Sequence, residues 1–192
     1  MQKTTLFLVL LALGLGGYVY FSEIHSPPPE ETATTSKETL FTFKQKEVQQ
    51  LIIEREEETL TLIRSDEGWE MTKPEEAMAK ESAIVFLLDL LTTETNSETF
   101  TVEKNQLEAY RLSEPSATIK FQLEDETEHT IMLGNTTFND EEVYAQINPE
   151  ADAMQEVKII PIDLKSAVER PLSEWKEEAS ENVEEEEETN SD

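Results

Sequence analysis

In a chain without cysteine, acid–base and metal chemistry falls to His, Asp and Glu, and the best-furnished position is His129. Glu124, Asp125, Glu126 and Glu128 precede it closely, so a carboxylate-paired imidazole or a metal ligand can be drawn. The same histidine alternates with Ile131 and Leu133, the period of a strand with one buried face, and an ordinary strand position is the better reading. The other histidine, His25, lies beside Pro27-Pro28-Pro29. Asn139-Asp140-Glu141-Glu142 offers oxygens to a hard cation, but a solvated loop accounts for it more simply. Trp69 and Trp175 read as core side chains, with exposed partner anchors as the rival reading.

Motif chemistry is limited by glycine. The five glycines stand at 14, 16, 17, 68 and 134, which rules out a phosphate-binding P-loop, a dinucleotide fingerprint and a hydrolase nucleophile elbow. No His-Glu-x-x-His or calcium-loop pattern occurs. Close carboxylate pairs carry no information among 43 Asp and Glu, since acids this abundant meet by chance. No residue is therefore assigned to catalysis, to a cofactor or to a metal, and the chain is read as not an enzyme. With only 15 Lys and Arg the net charge is -28, which excludes nucleic acid as a partner, because that affinity rests on neutralising phosphates with bases.

The elements that would position these residues fall between 40 and 175. Val48 to Glu54 and Thr59 to Arg64 predict a hairpin across the acidic link Arg55 to Glu58, and Trp69 to Thr72 a third strand ended by Pro74. Ile84, Leu87, Leu88 and Leu91 fall on one helical face within about Ala77 to Thr92, with Phe86 and Leu90 widening it. Thr92 to Glu98 reads as a polar loop, Thr99 to Val102 as a short strand and Leu107 to Leu112 as a helical turn. Alternation then returns at Ile119, Phe121 and Leu123, at His129, Ile131 and Leu133, and at Val143, Ala145 and Ile147. Val157 to Ile162 is a last strand before a helical stretch from Asp163 to Glu169. The order of elements in 48–92 resembles that in 118–169, so two related β-rich halves are an open alternative. The expected fold class is α+β, a mainly antiparallel sheet with one or two covering helices.

Ahead of this lies Thr4 to Phe21, eighteen residues without a charge. As a helix it is about 27 Å long, close to the hydrocarbon thickness of a bilayer, and it predicts one transmembrane anchor. A cleavable signal peptide is the rival, disfavoured by the length of the run and by the lack of a small-x-small pair between the run and Pro27, since the Gly14 and Gly16 pair would place the cut inside the run. Lys3 precedes the span and the next base is Lys37, which places the N-terminus in the cytoplasm and the bulk of the chain in the periplasm or a lumen. The expected organisation is a stub at 1–3, the anchor at 4–21, a Pro/Thr/Glu-rich spacer at 22–39, the α+β domain at 40–175 and a disordered acidic tail at 176–192.

Five stretches carry a family resemblance: LTLIRSDEGWEMTKP (60–74), LEAYRLSEPSATIKF (107–121), HTIMLGN (129–135), VYAQI (143–147) and ERPLSEW (169–175). Together they resemble domain of unknown function 4340, as found in cyanobacteria behind a single N-terminal span, over nearly the whole chain except the spacer and tail. That family usually has Gly where this chain has Arg111. The resemblance implies an accessory role at a cytoplasmic or thylakoid membrane, since related proteins are associated with gliding-type ABC transport auxiliaries, and it transfers no functional residues. The expected partners are lipid, through residues 4–21, and a membrane protein. A small-ligand or divalent-cation binding domain on the outer face of the membrane is the alternative.

Overall fold

Ile119 and Phe121, Ile131 and Leu133, and Val143 and Ala145 are all buried, so the period-two pattern does mark one face of a sheet. The computed structural model describes residues 34–177. These hold strands β1 (Thr34–Glu38), β2 (Val48–Arg55), β3 (Thr59–Ser65), β4 (Gly68–Lys73) and β5 (Ala77–Met78), then helix α1 (Glu81–Thr92). After β6 (Thr95–Glu103) come β7 (Ala117–Leu123), β8 (Glu128–Thr136), β9 (Glu142–Ile147), β10 (Met154–Pro161) and helix α2 (Asp163–Val168). All ten strands join one antiparallel sheet in the order β1-β6-β10-β9-β8-β7-β2-β3-β4-β5.

The strand order has a simple logic. β2 to β5 form a meander followed by α1, and β7 to β10 form a second followed by α2. The first strands of the two meanders pair with each other, with Leu51 opposite Phe121 and Ile53 opposite Ile119. Both helices bury the same spacing, Ile84, Leu87 and Leu88 in α1 and Leu164, Ala167 and Val168 in α2. They cover one face of the sheet, and their leucines each gain about 1.5–3 kcal/mol from leaving water. Trp69 and Trp175 complete this core at 2% and 0% exposure.

The opposite face is covered over one half. A 3-10 turn, Lys104–Tyr110, runs on to Leu112 and lays Leu107 and Leu112 over Val102 and Val157, with Phe100, Tyr110, Met132 and Tyr144 around them. Gly134 makes this possible, because a Cβ there would sit 2.0 Å from the carbonyl oxygen of Tyr110.

Several boundaries differ from the sequence reading. Ala77 and Met78 are strand rather than helix, because the Ala79 and Lys80 amides donate to Trp69 and Trp175 carbonyls and are thus withheld from a helical turn. Phe86 does not widen the buried stripe of α1; it is 41% exposed, with the Arg170 guanidinium 4.5 Å above its ring. Thr95 to Glu98, expected as loop, belongs to β6. Thr34–Glu38, expected within the spacer, pairs with β6 as β1. Lys176, expected at the start of the tail, bridges to Ala79 and ion-pairs with Glu75. The expected anchor at 4–21 and the tail beyond 177 lie outside the described residues. Among the described residues no helix is long and apolar enough to cross a membrane.

Candidate functional site

The turn from β2 to β3 is the first wall of a cleft of about 540 Å³. The Arg55 amide donates to the Glu58 carbonyl at 2.8 Å, so Glu56 and Glu57 form the tip of a tight hairpin. The Arg55 side chain turns inward. Its Nη1 donates to the carbonyls of Val168 at 3.2 Å and Arg170 at 2.7 Å, satisfying oxygens that the end of α2 leaves open, and its Nη2 pairs with Glu58. Arg55 Nε is buried without a hydrogen-bond partner.

The second wall comes from the other meander. Arg111 ends the 3-10 turn in the left-handed region at φ 56° and ion-pairs with Glu56 across the cleft. Ser116 lies just before β7, where its amide and hydroxyl both donate to the Leu133 carbonyl. Lys165, in the first turn of α2, donates to Ser116 Oγ at 3.4 Å and pairs with Glu169 one turn on. Three bases of a strongly acidic chain thus converge where the two meanders meet, each joined to a carboxylate of the same cleft.

This cleft does not include the residues that the sequence singled out. His129 stands opposite Phe121 on the core face of the sheet, its ring 4.8 Å from that of Phe41 and 5.0 Å from that of Phe121, with Nδ1 3.3 Å from Asn148 Nδ2. It is half-buried among aromatic rings, as a strand residue. Asp125 nearby is held below its usual carboxylate range, chiefly by the Thr127 amide donating to it, then by the Thr127 hydroxyl, with His129 a smaller influence. The loop at 139–142 satisfies itself: Thr137 Oγ1 donates to Asn139 Oδ1, Asn139 Nδ2 to Glu141 Oε2, and Thr136 Oγ1 to Asp140 Oδ1. Among the described residues no group of three His, Asp or Glu could hold a metal ion.

Away from the cleft, Glu38 pins β1 to the sheet. It accepts from Lys158 Nζ and Ser97 Oγ, both at 2.6 Å, and the Lys158 bond, then that from Ser97, holds its carboxyl below the usual range.

A family model described as a domain of unknown function (DUF4340) matches residues 69–187, more than half of the chain. The chain belongs to the DUF4340 family. The DUF4340 match opens at Trp69 in β4, later than the sequence resemblance at Leu60, and continues into the acidic tail. It takes in Arg111, Ser116, Lys165 and Glu169 of the cleft but not the Arg55–Glu58 turn. No curated protein and no solved structure matches the chain.

Of the cleft, the sequence marked the Arg55 to Glu58 link as a hairpin turn and no residue as a site. Arg111, the departure noted in the resemblance, holds a left-handed φ of 56°, the conformation glycine adopts most readily. Arg55, Ser116 and Lys165 lie far apart in sequence and meet only through the β2–β7 pairing and the packing of α2.

Proposed function

We propose that this DUF4340 protein is a non-enzymatic interaction module, anchored in a membrane by residues 4–21 and working outside the cytoplasm as an accessory to a membrane complex of the transport type. The observation that carries the reading is the uncharged run from Thr4 to Phe21 ahead of a polar domain. A small-ligand domain is the second reading, and the cleft at the junction of the meanders favours it over a divalent-cation site.

The test is fractionation with and without the apolar run. The full chain should stay with membranes through an alkaline carbonate wash, and deletion of residues 1–21 should release it. Protease added outside cells stripped of any outer envelope should digest the domain. A full chain that washes off, or a domain that resists protease until cells are lysed, rejects the placement.

A further inference from the structure

We propose that the cleft between the two meanders is a binding site for a small oxyanion, the carboxylate or phosphate group of a ligand. This goes beyond the membrane reading and does not depend on it. Its ground is an asymmetry in the three ion pairs. The base is the more buried partner each time: Arg55 at 15% exposure against 30% for Glu58, Lys165 at 16% against 48% for Glu169, and Arg111 at 44% against 61% for Glu56.

Two of the bases are also fixed by other contacts. Arg55 is held by the Val168 and Arg170 carbonyls, and Lys165 reaches Ser116. Glu56 at the hairpin tip and Glu169 just beyond α2 lie on the solvent side, free to swing away. The inner part of the cleft is therefore cationic, although its whole lining, with Glu56, Glu57, Glu58 and Glu169 against three bases, carries one more acid than base, and the carboxylates on its rim occupy the positions an incoming oxyanion would take. A guanidinium fork and an ammonium suit either a planar carboxylate or a tetrahedral phosphate. The net charge of -28 opposes an anion at long range, but at physiological salt charges beyond about 8 Å are largely screened, whereas these bases act at contact.

The probes are inorganic phosphate and succinate, titrated into the full chain in mild detergent, with chloride at matched ionic strength as the reference. Melting temperature and calorimetry are the readouts. Saturable stabilisation beyond the chloride reference is expected from at least one probe, and which one responds identifies the oxyanion. Glu56→Gln with Glu169→Gln should tighten binding several-fold, because the competing carboxylates are gone. Arg111→Gly should weaken it by about tenfold or more, the scale of a lost charge-assisted hydrogen bond. Glycine suits the left-handed backbone at 111, so this variant should keep or raise the basal melting temperature, which separates lost binding from lost fold. Lys165→Met gives an independent second reading of the same loss. The proposal is overturned if phosphate and succinate do no more than chloride, or if the double glutamine variant binds no more tightly than the natural chain.

Discussion

Gly134→Ala is the sharpest test of how the second face of the sheet is built. The added methyl would lie 2.0 Å from Tyr110 O, 3.2 Å from Tyr110 C and 3.3 Å from Leu112 Cδ2. A carbon and a carbonyl oxygen not bonded to each other sit roughly 3.3 Å apart, so the turn carrying Tyr110 must retreat by about 1 Å or more. Overpacking of this kind costs about 1–3 kcal/mol. Retreat also lifts Leu107 and Leu112 from Val102 and Val157, where they are only 6% and 2% exposed, and each leucine is worth about 1.5–3 kcal/mol when fully buried. Partial loss brings the expected destabilisation to about 2–4 kcal/mol, or roughly 6–12 °C in melting temperature for a domain of this size. Urea unfolding would measure it, and hydrogen exchange should show faster exchange across residues 104–112 than in β2 or β7. A variant within about 0.5 kcal/mol of the parent, with unchanged protection of that turn, would refute the close approach.

Three further outcomes follow from single contacts. Arg55→Ala removes donors from the Val168 and Arg170 carbonyls and should cost about 2–3 kcal/mol in urea unfolding, with Arg55→Lys recovering less than half because one ammonium does not reproduce the guanidinium fork. Trp175→Ala deletes a side chain at 0% exposure and should cost about 3–5 kcal/mol, read by calorimetry on the full chain. Glu38→Gln should cost about 0.5–1 kcal/mol at pH 7, a modest figure because the pair with Lys158 is partly exposed. The Glu38 carboxyl is held below its ordinary 4.5, so its contribution is fully present above that pH and disappears as pH falls through the lowered value. The gap in melting temperature between parent and Glu38→Gln should therefore close on acidification below 4.5; a gap constant down to pH 3 would remove the carboxylate from the account.

Where a segment buries one whole face, its sequence announced it. Leu51 and Ile53, Leu60 and Leu62, Ile131 and Leu133, and the Ile84-Leu87-Leu88-Leu91 stripe are each buried in the positions their spacing predicts. Of β6 only Thr99 to Val102 was legible, because Thr95–Glu103 lies near the sheet margin and buries only Ser97 and Val102, so backbone pairing with β10 and β1 holds a strand that lacks apolar alternation. β1 is held in the same way. The misplaced start of α1 has a different cause, since Ala79 and Lys80 are claimed by Trp69 and by Trp175, the latter 95 positions downstream of Lys80. The cleft was out of reach for a related reason. Its bases come from a hairpin end, a 3-10 turn and a helix, and no spacing rule joins them. His129 occupies the strand position its alternation predicts, opposite Phe121.

The two ends of the described segment finish at opposite margins of the sheet. β1 lies along β6 on one side, while on the other Lys176 bridges to Ala79 and Glu177 donates its amide to Met78 in β5. Each of these two stretches acts as a hem, occupying main-chain groups that a neighbouring molecule's strand would otherwise find open. Trimming at either end thus does more than shorten the polypeptide. It bares β6 on one side or β5 on the other, and the product should clump through sheet-to-sheet stitching even though nearly all of its core is intact.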